Sequence, residues 1–136
     1  MATEILRPNA QGDKDELVLS IGGSTKWGAM SDGLESSYCV YPGVTEVYKK
    51  DLYELPSHSV GLGTINKVTI YFSAMKQPPF ASAAYAKPSL KTNSVETDGD
   101  EISLPGAYTT YSQAWTTNPV TELPWTWDDI NALQIG

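Results

Sequence analysis

Two stretches of the chain alternate strictly between two sets of side chains, and no long helical repeat competes with them. From Val68 to Ala74, Val68, Ile70, Phe72 and Ala74 fall on one side, and Thr69, Tyr71 and Ser73 on the other. After Tyr108, Tyr111, Gln113 and Trp115 point one way while Thr110, Ser112 and Ala114 point the other. Side chains on an extended backbone repeat every two residues, so both stretches read as strands. Shorter strands are expected at Ile5-Leu6, ended by Arg7-Pro8, at Leu17 to Ile21, at Ser37 to Tyr41, at Val44 to Tyr48 and around Leu52-Tyr53. Another is expected from Ala81 to Leu90, after the break at Pro78-Pro79. Asp98-Gly99-Asp100 is a turn signal, with Gly99 free to take positive φ. Short strands at regular intervals among many Gly, Pro, Ser and Thr residues predict an all-β fold, an antiparallel β-sandwich. At 136 residues the expectation is a single domain, 1–136, with a core that needs no disulfide or metal.

One short helix is expected near the C-terminus. Asn118-Pro119 breaks the preceding strand, because proline lacks an N–H and restricts the residue before it. Thr126 then stands three residues before Asp129, a capping-box start, and Asp128 and Asp129 suit the positive end of a helix dipole. Trp127, Ile130 and Leu133 follow at spacings of three, so this helix should plug a sheet with one face. A returning strand normally follows such a plug, and here only Gln134-Ile135-Gly136 does. The expectation is an open sheet edge near Ile135. Either another chain completes it, or the sheet has one strand fewer, or the N-terminal strand covers it.

Charge narrows the partners. Sixteen acidic and nine basic side chains give a net charge of −7, and the basic residues are scattered. Nucleic acid, which needs clustered Lys and Arg, is not expected, and neither is a membrane, for want of a long apolar run. The segment MATEILRPNA carries Glu4 and Arg7 and lacks the apolar run of a secretion signal, so synthesis in a cytoplasm is expected.

Candidate chemistry is sparse. His58, the one histidine, lies in a Ser- and Gly-rich loop and reads as solvated rather than catalytic. No serine sits in a G-x-S-x-G elbow. Gly22-Gly23-Ser24-Thr25-Lys26 lacks both the spacing of a phosphate-binding loop and an expected following helix. Cys39 lies between Tyr38 and Val40 in a strand and reads as a buried small hydrophobe. One His and one Cys cannot build a nitrogen–sulfur metal site. Calcium needs only oxygen, and two acidic groups, Asp13, Asp15 and Glu16, then Asp98, Asp100 and Glu101, are weak candidates for it. Otherwise no cofactor is expected.

Four Trp and eight Tyr are many for this length. Trp27, Trp115 and Trp127 are expected inside, with Trp125 packing over the end of the core. Tyr38, Tyr41, Tyr48 and Tyr53 suit a protein interface, where an amphipathic ring tolerates partial burial, and Ile135 would mark the open edge.

The succession EILRPN, Trp27 with Asp32-Gly33 and Ser37-Tyr38, DLYEL, GTINKVTIY, YTTYS, TTNP and WTWDDINALQ resembles a group of jelly-roll-like β-sandwich domains. These are common in proteins of phages, archaea and uncultured microbes, often in virion or surface structural proteins. The resemblance spans nearly the whole chain and implies a sandwich at a virion or extracellular surface, with no catalytic residues to carry over. Three functions follow as expectations. The first is a non-enzymatic virion subunit, a capsid decoration, tail or fibre component, partnered by itself or by other virion proteins. The second is an extracellular filament or surface-layer subunit. The third is a carbohydrate-binding module, with a glycan stacked on exposed aromatic rings.

Overall fold

The computed structural model of the chain describes residues 3–21, 25–31, 38–40, 47–76 and 83–136. Its strands are β1 (Ala10–Asp15), β2 (Val18–Ile21), β3 (Tyr38–Val40), β4 (Asp51–Glu54), β5 (Val68–Ala74) and β6 (Tyr85–Ala86). They continue with β7 (Ser89–Thr92), β8 (Val95–Asp98), β9 (Ile102–Ser103), β10 (Thr109–Trp115) and β11 (Gln134–Ile135). Two short helices, α1 (Lys26–Ser31) and α2 (Trp127–Asn131), complete the described elements. The chain is mainly β. Its largest sheet has five antiparallel strands in the order β1-β4-β11-β7-β8, beside two-stranded pairs β10-β5, β2-β3 and β6-β9.

Strict alternation marks the longest pairing. β5 and β10 run antiparallel through seven consecutive pairs, from Thr109 opposite Ala74 to Trp115 opposite Val68, without a bulge. The side of β5 carrying Ile70, which is buried, packs with Leu90 of β7, Trp125, and Ile130 and Leu133 at α2. Phe72, Val68, Trp115, Trp127 and Ile135 are packed around that cluster. A shared core therefore holds the β5–β10 ribbon, β7 and α2 together, mainly through burial of apolar surface.

Helix α2 forms as its sequence predicts. The Thr126 hydroxyl accepts the Asp129 N–H, and the Asp129 carboxylate accepts the Thr126 N–H at 2.9 Å, a complete capping box. Trp127 is half-buried, and Ile130 and Leu133 are buried. Among the tryptophans, Trp125 is the most deeply placed, at 4% exposure, and its indole N–H donates to the Trp115 carbonyl at 2.9 Å.

The open edge expected at Ile135 is corrected by the structure. Ile135 pairs with Tyr53 of β4 on one side and Leu90 of β7 on the other, so β11 is the middle strand of the five. Two residues suffice because both flanking strands already exist and supply the ladders. The Gln134 side chain reaches past β4 to accept the Asp13 N–H at 2.9 Å. Gly12 is required beneath it, since a Cβ there would lie 2.6 Å from Gln134 Oε1 and 2.7 Å from the Leu52 carbonyl oxygen.

Other expectations are also revised. Ile5-Leu6 is irregular, and the first strand starts at Ala10. The stretch expected as one strand up to Leu90 is divided at Pro88, which cannot donate to a ladder. Gly99 needs no positive φ. It is kept small by Pro88 and Gln113, whose side-chain carbons would lie 2.8 and 3.1 Å from an added Cβ. The hairpin turn with positive φ is instead Asn93-Ser94, at 50° and 63°, joining β7 to β8 in the handedness that suits twisted strands. Buried Asn118 anchors that turn, donating to Thr92 Oγ1 and to Asn93 Oδ1 at 3.3 and 3.1 Å. Helix α1 was not expected, and it follows directly on the glycine-rich segment, of which residues 22–24 lie outside the described set. The strand expected at Val44 to Tyr48 falls mostly outside it too.

Candidate functional site

Strand edges expose rows of N–H and C=O groups, and proteins usually guard them with charge, bulges, proline or shortness. The five-stranded sheet does so at both sides. Its outer strand β1 carries Asp13, Lys14 and Asp15 and a register irregularity between Gln11 and Asp15. Its other outer strand, β8, has four residues and carries Glu96 and Asp98. Lys14 and Glu96 meet at 3.9 Å.

The β5–β10 ribbon carries none of these guards. Its strands read VTIYFSA and TTYSQAW, seven residues each, with no charged residue, proline or glycine. Among the described residues, the two strands pair only with each other. The face away from the core presents Tyr71, Ser73, Thr110, Ser112 and Ala114, all exposed, with Ser73 and Thr110 hydroxyls 2.8 Å apart. Tyr71, at the centre of β5, is 72% exposed.

The six carboxylates considered for calcium are not gathered as a cation would need. Among the described residues, no group of three His, Cys, Asp or Glu side chains forms a metal cage. Asp13 is paired with Lys91, and Asp15 with Lys26. Glu16 accepts the Lys50 N–H at 2.8 Å and faces Lys49 at 3.8 Å. Asp98 accepts from Lys50 at 2.5 Å and from the Ser89 hydroxyl at 2.6 Å. Glu101 accepts from the Tyr48 hydroxyl at 2.6 Å, and Asp100 is an exposed loop residue whose N–H meets Gln113 Oε1 at 3.4 Å. Separate lysines answer most of these carboxylates, and Lys50 alone meets both groups, Glu16 through its backbone N–H and Asp98 through its ammonium.

These pairs shift protonation in ways that can be measured. Burial would lower the Lys50 ammonium, but the hydrogen bonds to Asp98 and Glu96 outweigh it and hold it above the ordinary lysine value. Burial likewise opposes the shift of Asp98, and Lys50 and Ser89 win, keeping its carboxyl low. A hydrogen bond from Lys91 lowers Asp13, and the Ser59 N–H lowers Glu4. Carboxyls lowered by folding contribute stability above their unfolded values, 3.8 for Asp and 4.5 for Glu, and lose it as pH falls through the lower folded values. The melting temperature should therefore be level from neutrality to about pH 5 and drop below about pH 4. At the alkaline end, partial burial and the Glu101 carboxylate push the Tyr48 hydroxyl from 10.0 up to about 12. Stability should fall as pH rises through that interval, since the unfolded chain releases the proton first. Melting curves from pH 2 to 12 check both limbs, and a flat acid limb would refute the ion-pair account.

The tyrosines proposed for an interface separate. Tyr53 is buried, its hydroxyl donating to Asp51 Oδ2 at 2.8 Å, and therefore cannot meet a partner. Tyr48 is 41% exposed, with the Lys87 ammonium 4.7 Å from its ring centre. Tyr38 starts β3, its side chain outside the described residues, as is all of Tyr41, and Cys39 likewise has only its backbone described, in β3. Ile135 belongs to the core surround and not to an edge. The residue that sequence reasoning passed over is Tyr71, although its outward position was legible from the alternation.

His58 is not a free loop side chain. Its ring lies 4.6 Å from that of Trp127, and its Nδ1 is buried without a hydrogen-bond partner. A hollow of about 250 Å³ between the end of β4 and α2 is lined by Glu54, Leu55, Asn131, Ala132, Leu133 and Gln134, smaller than the few hundred Å³ of most ligand pockets. No helix among the described residues is long and apolar enough to cross a membrane. In comparisons with known proteins, no family model, curated protein or solved structure matches the chain.

Proposed function

We propose that this chain is a non-enzymatic structural subunit of a virion, a capsid decoration, tail or fibre component, that assembles through its sheet edges. The observation that carries this reading is the β5–β10 ribbon, uncharged and without a bulge in a chain whose other long sheet guards both sides. Natural sheets leave an edge unguarded where another strand is wanted on it. The shared core between the ribbon, β7 and α2 supports a jelly-roll-like β-sandwich as the underlying architecture. The virion setting rests on the resemblance of the sequence to particle-surface domains.

Light scattering across a concentration series tests the reading. Masses that rise above the 14.8 kDa of one chain, toward closed rings or filaments, are the expected result. One chain per particle at every concentration would overturn it. A second reading has its own observation: Tyr71 stands exposed on a face of Ser and Thr hydroxyls, and a sugar ring can stack on such an aromatic ring. Glycan-array binding by a stable monomer would favour it instead.

A further inference from the structure

We propose that β5 is the assembling edge and that its occupant is β5 of a second copy, paired antiparallel about a twofold axis with Tyr71 opposite its counterpart. This deepens the assembly reading and rests on it. Each part of the statement has its own reason in the structure.

The edge is chosen by comparing the two strands of the ribbon. On β10 the Trp115 carbonyl is already engaged by the Trp125 indole, so that end is capped by the segment that follows it. β5 has no comparable cap among the described residues. Its sequence, VTIYFSA, is a seven-residue run of mostly β-branched and aromatic residues with no charge, proline or glycine, the composition that pairs most readily with another strand.

Charge chooses the occupant. The chain carries −7, so two copies repel wherever their acidic surfaces approach. Between Val68 and Ala74 a basic partner would find no carboxylate and an acidic partner no lysine, since Lys67 and Lys76 lie outside the strand at its two ends. An uncharged strand is complementary to another uncharged strand of equal length, and this chain provides one.

Symmetry then sets the register. An isologous contact pairs each residue with its twofold mate. Centring the seven-residue strand on Tyr71 gives full overlap and places Thr69 opposite Ser73 of the other copy, Ile70 opposite Phe72 and Val68 opposite Ala74. Apolar residues meet apolar ones on the core side, and hydroxyls meet hydroxyls on the outer side. The two Tyr71 rings, each 72% exposed in one chain, become a cross-strand aromatic pair at the centre of a continuous β10-β5-β5-β10 sheet.

The test uses the full chain with two substitutions at one exposed position. Tyr71→Lys sets like charges directly opposite each other and should weaken self-association at least tenfold in sedimentation equilibrium, with the circular dichroism spectrum unchanged and the melting curve unchanged at concentrations low enough for both chains to be monomeric. Tyr71→Cys under mild oxidation should give a disulfide joining that position in two copies, identified by peptide mass. Should the wild-type chain assemble while Tyr71→Lys assembles equally well and Tyr71→Cys gives no such link, the β5 contact is wrong and assembly runs through another surface. Should the wild-type chain never assemble, the broader reading falls and this one with it.

Discussion

Asp51→Ala is expected to cost about 3–5 kcal/mol of stability, lowering the melting temperature by roughly 10–20 °C. The Asp51 side chain is 1% exposed, and both of its oxygens are answered by donors. Oδ1 accepts the N–H groups of Glu16 and Leu17 at 2.6 and 2.8 Å. Oδ2 accepts the Tyr53 hydroxyl at 2.8 Å and faces the Lys26 ammonium at 3.4 Å. One carboxylate thus ties the corner between β1 and β2 to the start of β4 and fixes the lysine that opens α1. Alanine would take this acceptor from the Leu17 N–H and a buried phenol, and would weaken the hold on the Glu16 N–H and on Lys26, which keep the Lys50 carbonyl at 3.2 Å and the Asp15 carboxylate. Asp51→Asn retains an oxygen for the two amides but offers an N–H₂ group to Lys26, so it should fall between alanine and wild type. Urea denaturation of the three proteins checks the order, and an alanine variant within about 1 kcal/mol of wild type would show that the corner is held by something else.

This network was out of reach of the sequence. Asp51 reads as a polar residue at the start of a short strand, and only the pairing of β4 with β1 brings Glu16 and Leu17 above it. The same limit explains β1, whose AQGDKD shows no alternation because its register is set by Gln134 and Leu52 packed against Gly12. Helix α1 escaped because KWGAMS has a glycine in its interior and no apolar stripe long enough to show a period. By contrast, β5, β10 and α2 were legible to the residue or nearly so, since alternation and a capping box are local signals. Tyr71 lies between the two cases. Its outward direction follows from alternation, but the absence of guards beside it acquires meaning only once the guarded strands β1 and β8 are known to be the outer strands of the other sheet.

Ile135→Pro is expected to abolish cooperative folding or to cost more than about 3 kcal/mol, an effect out of proportion to a residue one place from the numbered end of the chain. Central strands exclude proline because the ring removes an N–H from one ladder and crowds the strand beside it. In β11 the damage is not local. Gln134 and Ile135 are the strand paired between β4 and β7, continued by two backbone hydrogen bonds between Ser89 and Gly136, and without that strand the five-stranded order separates into β1-β4 and β7-β8. Ile135 also packs against the core cluster, so a control must separate its side chain from its backbone. Ile135→Val removes one methylene and should cost only about 0.5–1.5 kcal/mol. Amide exchange adds the spatial signature: in the proline variant, Tyr53 and Leu90, its partners on either side, should lose protection together, while the β5–β10 ribbon loses it only with global unfolding. If both substitutions cost the same small amount and protection at Tyr53 and Leu90 is retained, β11 is not the central strand, and the edge first expected at Ile135 would have to be considered again.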